Sequence, residues 1–122
     1  MTQSGVARTV LLVDDHGGFR RMARFLLESG GYLVVGEADT AAGAVTSVRR
    51  LEPDLVLLDV LLPDGNGADV ADELAALPHP PEVVLISSYS EGGLGDRLVD
   101  APVLGFVRKD ELTVARLAEL FG

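Results

Sequence analysis

The chain has 122 residues, 48% of them apolar and 24% charged, which suits one globular domain with a real core and excludes a disordered chain. Its net charge of -9 repels phosphate backbones and argues against direct nucleic-acid binding. With no cysteine it can hold no disulfide and no thiol or Cys-based metal site, as fits a reducing compartment, and it shows neither an apolar run of membrane-spanning length nor a signal-peptide pattern.

Taken in chain order, short apolar runs alternate with helix-spaced stripes. Val10-Leu11-Leu12-Val13 reads as a strand and ends in Asp14-Asp15. Phe19, Met22, Ala23 and Leu26 form the inner stripe of a first helix, which stops at Gly30-Gly31. Tyr32 to Ala38 reads as a second strand. Thr40 caps a second helix with Ala41, Ala44, Val45 and Val48 inward, and Pro53 closes it. Leu55-Val56-Leu57-Leu58 is a third strand ending in Asp59, and the loop from Leu61 to Gly67 is dense in turn residues. A third helix presents Val70, Ala71, Leu74 and Leu77. Val83-Val84-Leu85-Ile86 is a fourth strand ending in Ser87-Ser88. Gly92, Gly93 and Gly95 make the next helix short and weak, so Ser90 to Asp100 is expected to be the most labile part of the domain. The run Val103 to Val107 is a fifth strand leading to Lys109, the only lysine beside nine arginines. Asp110 caps a last helix with Val114, Leu117, Ala118 and Phe121 on one face.

Apolar strands joined by helical crossovers imply an α/β domain: a five-stranded parallel sheet with helices on both faces. Right-handed crossovers favour the strand order 2-1-3-4-5. In that order Asp14, Asp15, Asp59, Ser87 and Lys109 meet at the carboxyl edge, where open α/β sheets bind ligands. Clustered carboxylates cannot all stay ionised without compensation, so either some protonate or a hard cation sits among them. Mg²⁺ takes oxygen ligands and pairs readily with phosphate oxygens. A lysine and a hydroxyl across the site suit an incoming phosphoryl group, and a carboxylate can itself be the nucleophile. Singly, each residue has a plainer reading: Asp14-Asp15 as a helix cap, Asp59 as a turn residue, Ser87 satisfied by backbone, Lys109 as surface charge, Phe106 as core. Their coincidence at four strand ends favours the site.

On Leu11-Leu12-Val13-Asp14-Asp15-His16, Pro53-Asp54-Leu55-Val56-Leu57-Leu58-Asp59, Leu62-Pro63-Asp64-Gly65-Asn66-Gly67, Ser87-Ser88 and Gly105-Phe106-Val107-Arg108-Lys109, the chain resembles the receiver domain of two-component response regulators. The likeness runs from Thr9 to Phe121 and is greatest to the subfamily often fused to helix-turn-helix output domains. It implies a flavodoxin-like receiver fold over residues 8–122, with 1–7 a flexible N-terminal segment. It also implies that Asp59 takes a phosphoryl group from a sensor histidine kinase or phosphotransfer protein. Asp15, Asp59 and the main-chain carbonyl of Leu61 would hold Mg²⁺, with Asp14 reaching it mostly through water. Ser87 and Lys109 would contact the phosphoryl oxygens, and Ser87 and Phe106 would act as the switch. Leu61 and Tyr89 would flank the path of a hydrolysing water. The implied protein is a cytoplasmic signalling phosphoacceptor with slow autodephosphorylation rather than an enzyme. Its downstream partner would be a protein target or a second copy, with no direct nucleic-acid or membrane contact. The position of the closing apolar helix favours a natural chain end at Gly122.

The chain departs from the family pattern in places. Leu62 stands where Met is common, Ser87 replaces Thr, Asp110 follows Lys109 where Pro is frequent, and Phe106 lacks the hydroxyl of Tyr. Three rivals remain. An Asp-nucleophile phosphohydrolase would want an acid–base carboxylate where Leu61 stands. A flavin-binding module would want a hydroxyl- and glycine-rich loop in place of Asp14-Asp15. A degenerate receiver that binds partners without phosphate would not need the full acidic set.

Overall fold

The five apolar runs do pair side by side, because strands buried on both faces must satisfy their backbone groups against one another, and helical crossovers make that pairing parallel. In the computed structural model, which describes residues 8–88 and 100–121, β1 (Thr9–Val13), β2 (Leu33–Ala38), β3 (Leu55–Asp59), β6 (Glu82–Ser87) and β7 (Gly105–Arg108) form a five-stranded sheet in the order β2-β1-β3-β6-β7. All four pairings are parallel. This is the expected 2-1-3-4-5 order, with β1 and β3 neighbours at its centre. Between β3 and α3 (Gly67–Ala75) the turn-rich loop folds into a small antiparallel pair, β4 (Leu61–Leu62) with β5 (Gly65–Asn66).

Strand alternation divides the core in two. Leu11, Val13, Val56, Leu58 and Leu85 face α2 (Ala41–Leu51) and α3, packing on Ala44, Val48, Val70, Ala71 and Leu74. Val10, Leu12, Leu55, Leu57, Val84 and Ile86 face the other way, against Ala23 and Leu27 of α1 (Gly17–Ser29) and Leu117 of the last helix, α4 (Val114–Phe121). Both faces are therefore dry, and every residue of β3 is buried. At the opening of β1 and β3 the chains are clamped: Asp54 accepts from Thr9 N–H at 2.8 Å, and Asp54 N–H donates to Thr9 Oγ1 at 2.9 Å.

The helices are rotated from their expected faces in two places. Met22 is 45% exposed, and Leu27 takes its place in the core, so the buried stripe of α1 is Phe19, Ala23, Leu26 and Leu27. Ala118 is exposed, while Leu120 packs on the core beside Leu117. Asp110 does not cap α4. It lies in a 3-10 turn, Lys109–Glu111, after which Leu112 plugs into the core; Thr113 Oγ1 then accepts from Arg116 N–H at 3.0 Å and starts the helix. The second strand begins at Leu33 rather than Tyr32, whose N–H donates to Leu27 O and helps to end α1. Leu77 packs against the core from beyond the end of α3. Residues 90–99 of the expected weak helix, Tyr89 and the side chain of Phe121 lie outside the described residues. Among the described residues no helix is long and apolar enough to cross a membrane.

Candidate phosphoacceptor site

Parallel strands all deliver their carboxyl ends to one edge. Asp14 follows β1, Asp59 ends β3, Ser87 ends β6 and Lys109 follows β7. Asp14, Asp59 and Ser87 are 1%, 5% and 4% exposed, and they are the buried polar residues of the described chain. Asp59 Oδ2 lies 3.2 Å from Lys109 Nζ, and Asp59 Oδ1 accepts from Leu61 N–H at 3.2 Å. Lys109 Nζ also pairs closely with Asp14 Oδ2. Asp15 is exposed beside them, and His16 Nδ1 stands 3.2 Å from an oxygen of each of Asp14 and Asp15. Asp15, His16, Asp59, Leu61, Ser87 and Ser88, with Leu62 and Pro63, line an open cleft of about 280 Å³.

The charges do not balance. Burial and the neighbouring Asp14 carboxylate push Asp59 above the ordinary carboxylate range, and Lys109 and the Leu61 N–H only partly offset them. Lys109 is shared between two carboxylates, so its charge offsets only part of the penalty on Asp59. Burial opposes its charge, yet the close ion contact with Asp14 and the field of Asp59 outweigh that and raise it. Oxygens of Asp14, Asp15 and Asp59, together with a ring nitrogen of His16, all lie within 4.8 Å of one another. Asp14 Oδ2 is buried and accepts no well-formed hydrogen bond, although it is in ion contact with Lys109. A hard, oxygen-seeking dication fits this donor set.

Several supports of the site could not be read from spacing. Arg20 donates to the main-chain oxygen of Asp14 and, at 2.7 Å, to Glu37 Oε1. Arg24 joins Glu37 Oε2 at 3.0 Å; burial opposes the charge on Glu37, but the two guanidiniums hold its carboxyl below the usual range. The ring of Phe19 lies with its centroid 4.7 Å from Lys109 Nζ. Asp64, in the turn between β4 and β5, accepts from the first amides of α2, Ala41 N–H at 2.6 Å and Ala42 N–H at 3.1 Å; these bonds hold its carboxyl below the usual range. Asp64 thus ties the loop after Asp59 to the start of α2, where Thr40 Oγ1 accepts from Gly43 N–H. The sequence signal for the first group was an arginine pair at i, i+4 on a helix that begins beside Asp15.

The sequence profile of the response regulator receiver domain matches residues 10–120. The chain belongs to that family. The receiver domain is 37% identical over 102 residues to the transcriptional regulatory protein NarL of Mycobacterium tuberculosis, covering 83% of this chain and 47% of that protein. It is 32% identical over 127 residues to the transcriptional regulatory protein PdtaR of the same organism, covering 96% of this chain and 62% of that protein. It thus spans about half to three fifths of these curated relatives. The solved signal receiver domain of NarL from M. tuberculosis superposes with a TM-score of 0.82 at 35% identity, covering 95% of this chain and 98% of that one. Receiver domains are two-component signalling modules that typically accept phosphate, are typically not enzymes and imply a histidine kinase as partner. The acidic pocket of this one is consistent with a receiver Mg²⁺ site.

Proposed function

We propose that Asp59 is the phosphoacceptor and that the domain is a switch in a two-component phosphorelay. The observation that carries this reading is the setting of the Asp59 carboxylate: buried, 3.2 Å from Lys109 Nζ, and open to the cleft on its remaining side. An Asp59 oxygen attacks the phosphorus of a kinase phosphohistidine. The new oxygen–phosphorus bond forms as the phosphorus–nitrogen bond breaks, and the imidazole leaves with that electron pair and takes up a proton. Asp14, Asp15, Asp59 and the Leu61 carbonyl are the groups that would hold Mg²⁺. When bound, Mg²⁺ supplies positive charge to the carboxylates and to the phosphoryl oxygens.

Lys109 supplies a fixed positive charge beside Asp59, needing little reorganisation as charge arrives. Ser87, at the end of the neighbouring strand, donates its hydroxyl to a phosphoryl oxygen. Phe106, half-buried on β7 and packed against the α2–α3 face of the core, is the partner of Ser87 in the switch. Leu61 offers no acid–base group two residues after Asp59, which weighs against a phosphohydrolase. The folding unit is residues 8–122, working in the cytoplasm. The transcriptional roles of NarL and PdtaR support a route that ends in transcription, reached through a protein partner or a second copy of this domain. Intact mass after incubation with acetyl phosphate and Mg²⁺ tests the core of this reading. The expected result is a gain of one phosphoryl group, absent in Asp59→Asn; no gain in the wild type, or an equal gain in the variant, overturns it.

A further inference from the structure

Lysine carries its charge on a flexible four-carbon stem, so something must hold the ammonium in place if it is to act as a fixed charge. In this chain Lys109 sits in a single 3-10 turn, a weak anchor, yet its side chain is only 11% exposed. Two sides of Nζ face Asp14 and Asp59. Another faces the ring of Phe19, with the centroid at 4.7 Å, within the range of a cation–π contact. The ring packs on the core, and the helix that carries it is fixed by independent contacts. Arg20, the next residue, is tied to the Asp14 main chain and to Glu37, and Ala23 and Leu27 lock the same helix into the core. α1 therefore cannot rotate to carry Phe19 away from Lys109 without unpairing a guanidinium or emptying core positions.

We propose that Phe19 is a positioning residue for Lys109: the face of its ring holds the ammonium beside the phosphoacceptor. This rests on the phosphoacceptor reading and adds to it a residue on α1 that touches none of the reacting atoms. Phe19 also packs against the core, and leucine could fill that space. Leucine offers no electron-rich face, so the electrostatic and packing roles are separable.

The single lysine makes the test direct. Protein grown on lysine labelled with ¹³C at Cε gives one lysine methylene signal. In the wild type the ring current displaces the Lys109 Hε protons upfield of free lysine; the displacement is lost in Phe19→Leu and kept in Phe19→Tyr. Phosphoryl uptake from acetyl phosphate with Mg²⁺ is about three- to tenfold slower in Phe19→Leu and near wild type in Phe19→Tyr. Phenylalanines carrying one, two and three ring fluorines, placed at position 19, drain the ring face at nearly constant volume and slow uptake stepwise, which covers the case in which Phe19→Leu folds poorly. Hε protons at the free-lysine position in the wild type, or rates indifferent to fluorination, overturn the proposal. A wild type that gains no phosphate overturns the phosphoacceptor reading and this role with it. A Phe19→Leu variant that matches a phosphorylated wild type overturns the role alone.

Discussion

A Cβ placed on Gly67 would stand 2.6 Å from the main-chain oxygen of Asp59. Gly67 opens α3, and its N–H donates to Val60 O at 2.7 Å, so the start of that helix is pressed against the strand end that carries Asp59, the proposed phosphoacceptor. The obstacle is backbone, with Leu85 Cδ2 at 3.0 Å on another side, and neither can swing clear as the tip of a long side chain would. Gly67→Ala should therefore cost about 1–3 kcal/mol of stability, the usual price of overpacking a tight site. It should also slow phosphoryl uptake by moving Asp59. Urea melts and phosphorylation rates check both; a variant as stable and as fast as wild type would show that the approach is not needed.

Asp59 lowers the stability of the metal-free fold, and the sign is set by its raised proton affinity. Between the ordinary carboxylate value, near pH 4, and its raised value, the native state binds more protons than the unfolded chain, so stability falls as pH rises through that window. Below the window the residue is protonated in both states and costs nothing. Asp59→Asn removes the penalty. Its melting midpoint without metal should match wild type at low pH, rise above it by a few degrees as pH passes through the window, and stay above it at neutrality. Added Mg²⁺ should stabilise the wild type, which binds it only when folded, and should do so much less in Asp15→Asn. Equal midpoints of Asp59→Asn and wild type at neutral pH without metal would contradict the charge argument.

Much of this was legible because strand and helix periods are strong signals and parallel topology converts them into a site. The ends of β1, β3, β6 and β7 place Asp14, Asp59, Ser87 and Lys109 on one edge once the order is known. The misses have local causes. Met22 and Leu27 compete for one stripe on α1, and only packing against the sheet decides for Leu27. Asp110 and Thr113 both suit a cap; burial of Leu112 decides for Thr113, because the chain must first plug that side chain into the core. Contacts between distant segments, such as Asp64 on α2 or Phe19 on Lys109, leave no periodic trace in the sequence.

Lys109 should not be replaceable by arginine. Its ammonium occupies a closed space between Asp14, Asp59 and the Phe19 ring, where a compact charge fits and a planar fork is both larger and differently directed. Lys109→Arg should keep the fold and lose phosphoryl uptake by about tenfold or more, the scale of losing one fixed charge at a reacting oxygen. Lys109→Met should lose as much, because shape and charge are both required. Uptake in Lys109→Arg within about twofold of wild type, a difference of only ~0.4 kcal/mol, would mean that positive charge alone suffices.

The phosphorylated form should persist, because loss of phosphate needs a water in line with the phosphorus, opposite the Asp59 oxygen, and held there by a hydrogen bond. Leu61 stands two residues beyond Asp59 on β4. It is 53% exposed at the mouth of the cleft, and it can shield that approach but cannot bond a water. Tyr89, the other residue expected to flank the path, lies outside the described residues. Leu61→Asn gives the water a partner at similar volume, and one such bond lowers the barrier by ~1.4 kcal/mol, or about tenfold in rate. Leu61→Ala opens the path without supplying a partner and should accelerate loss less. The check is the first-order decay of the phosphorylated mass after the phosphodonor is removed, in Mg²⁺ buffer at one pH for all three proteins. Slower decay in both variants would mean that the leucine side chain assists hydrolysis rather than obstructing it.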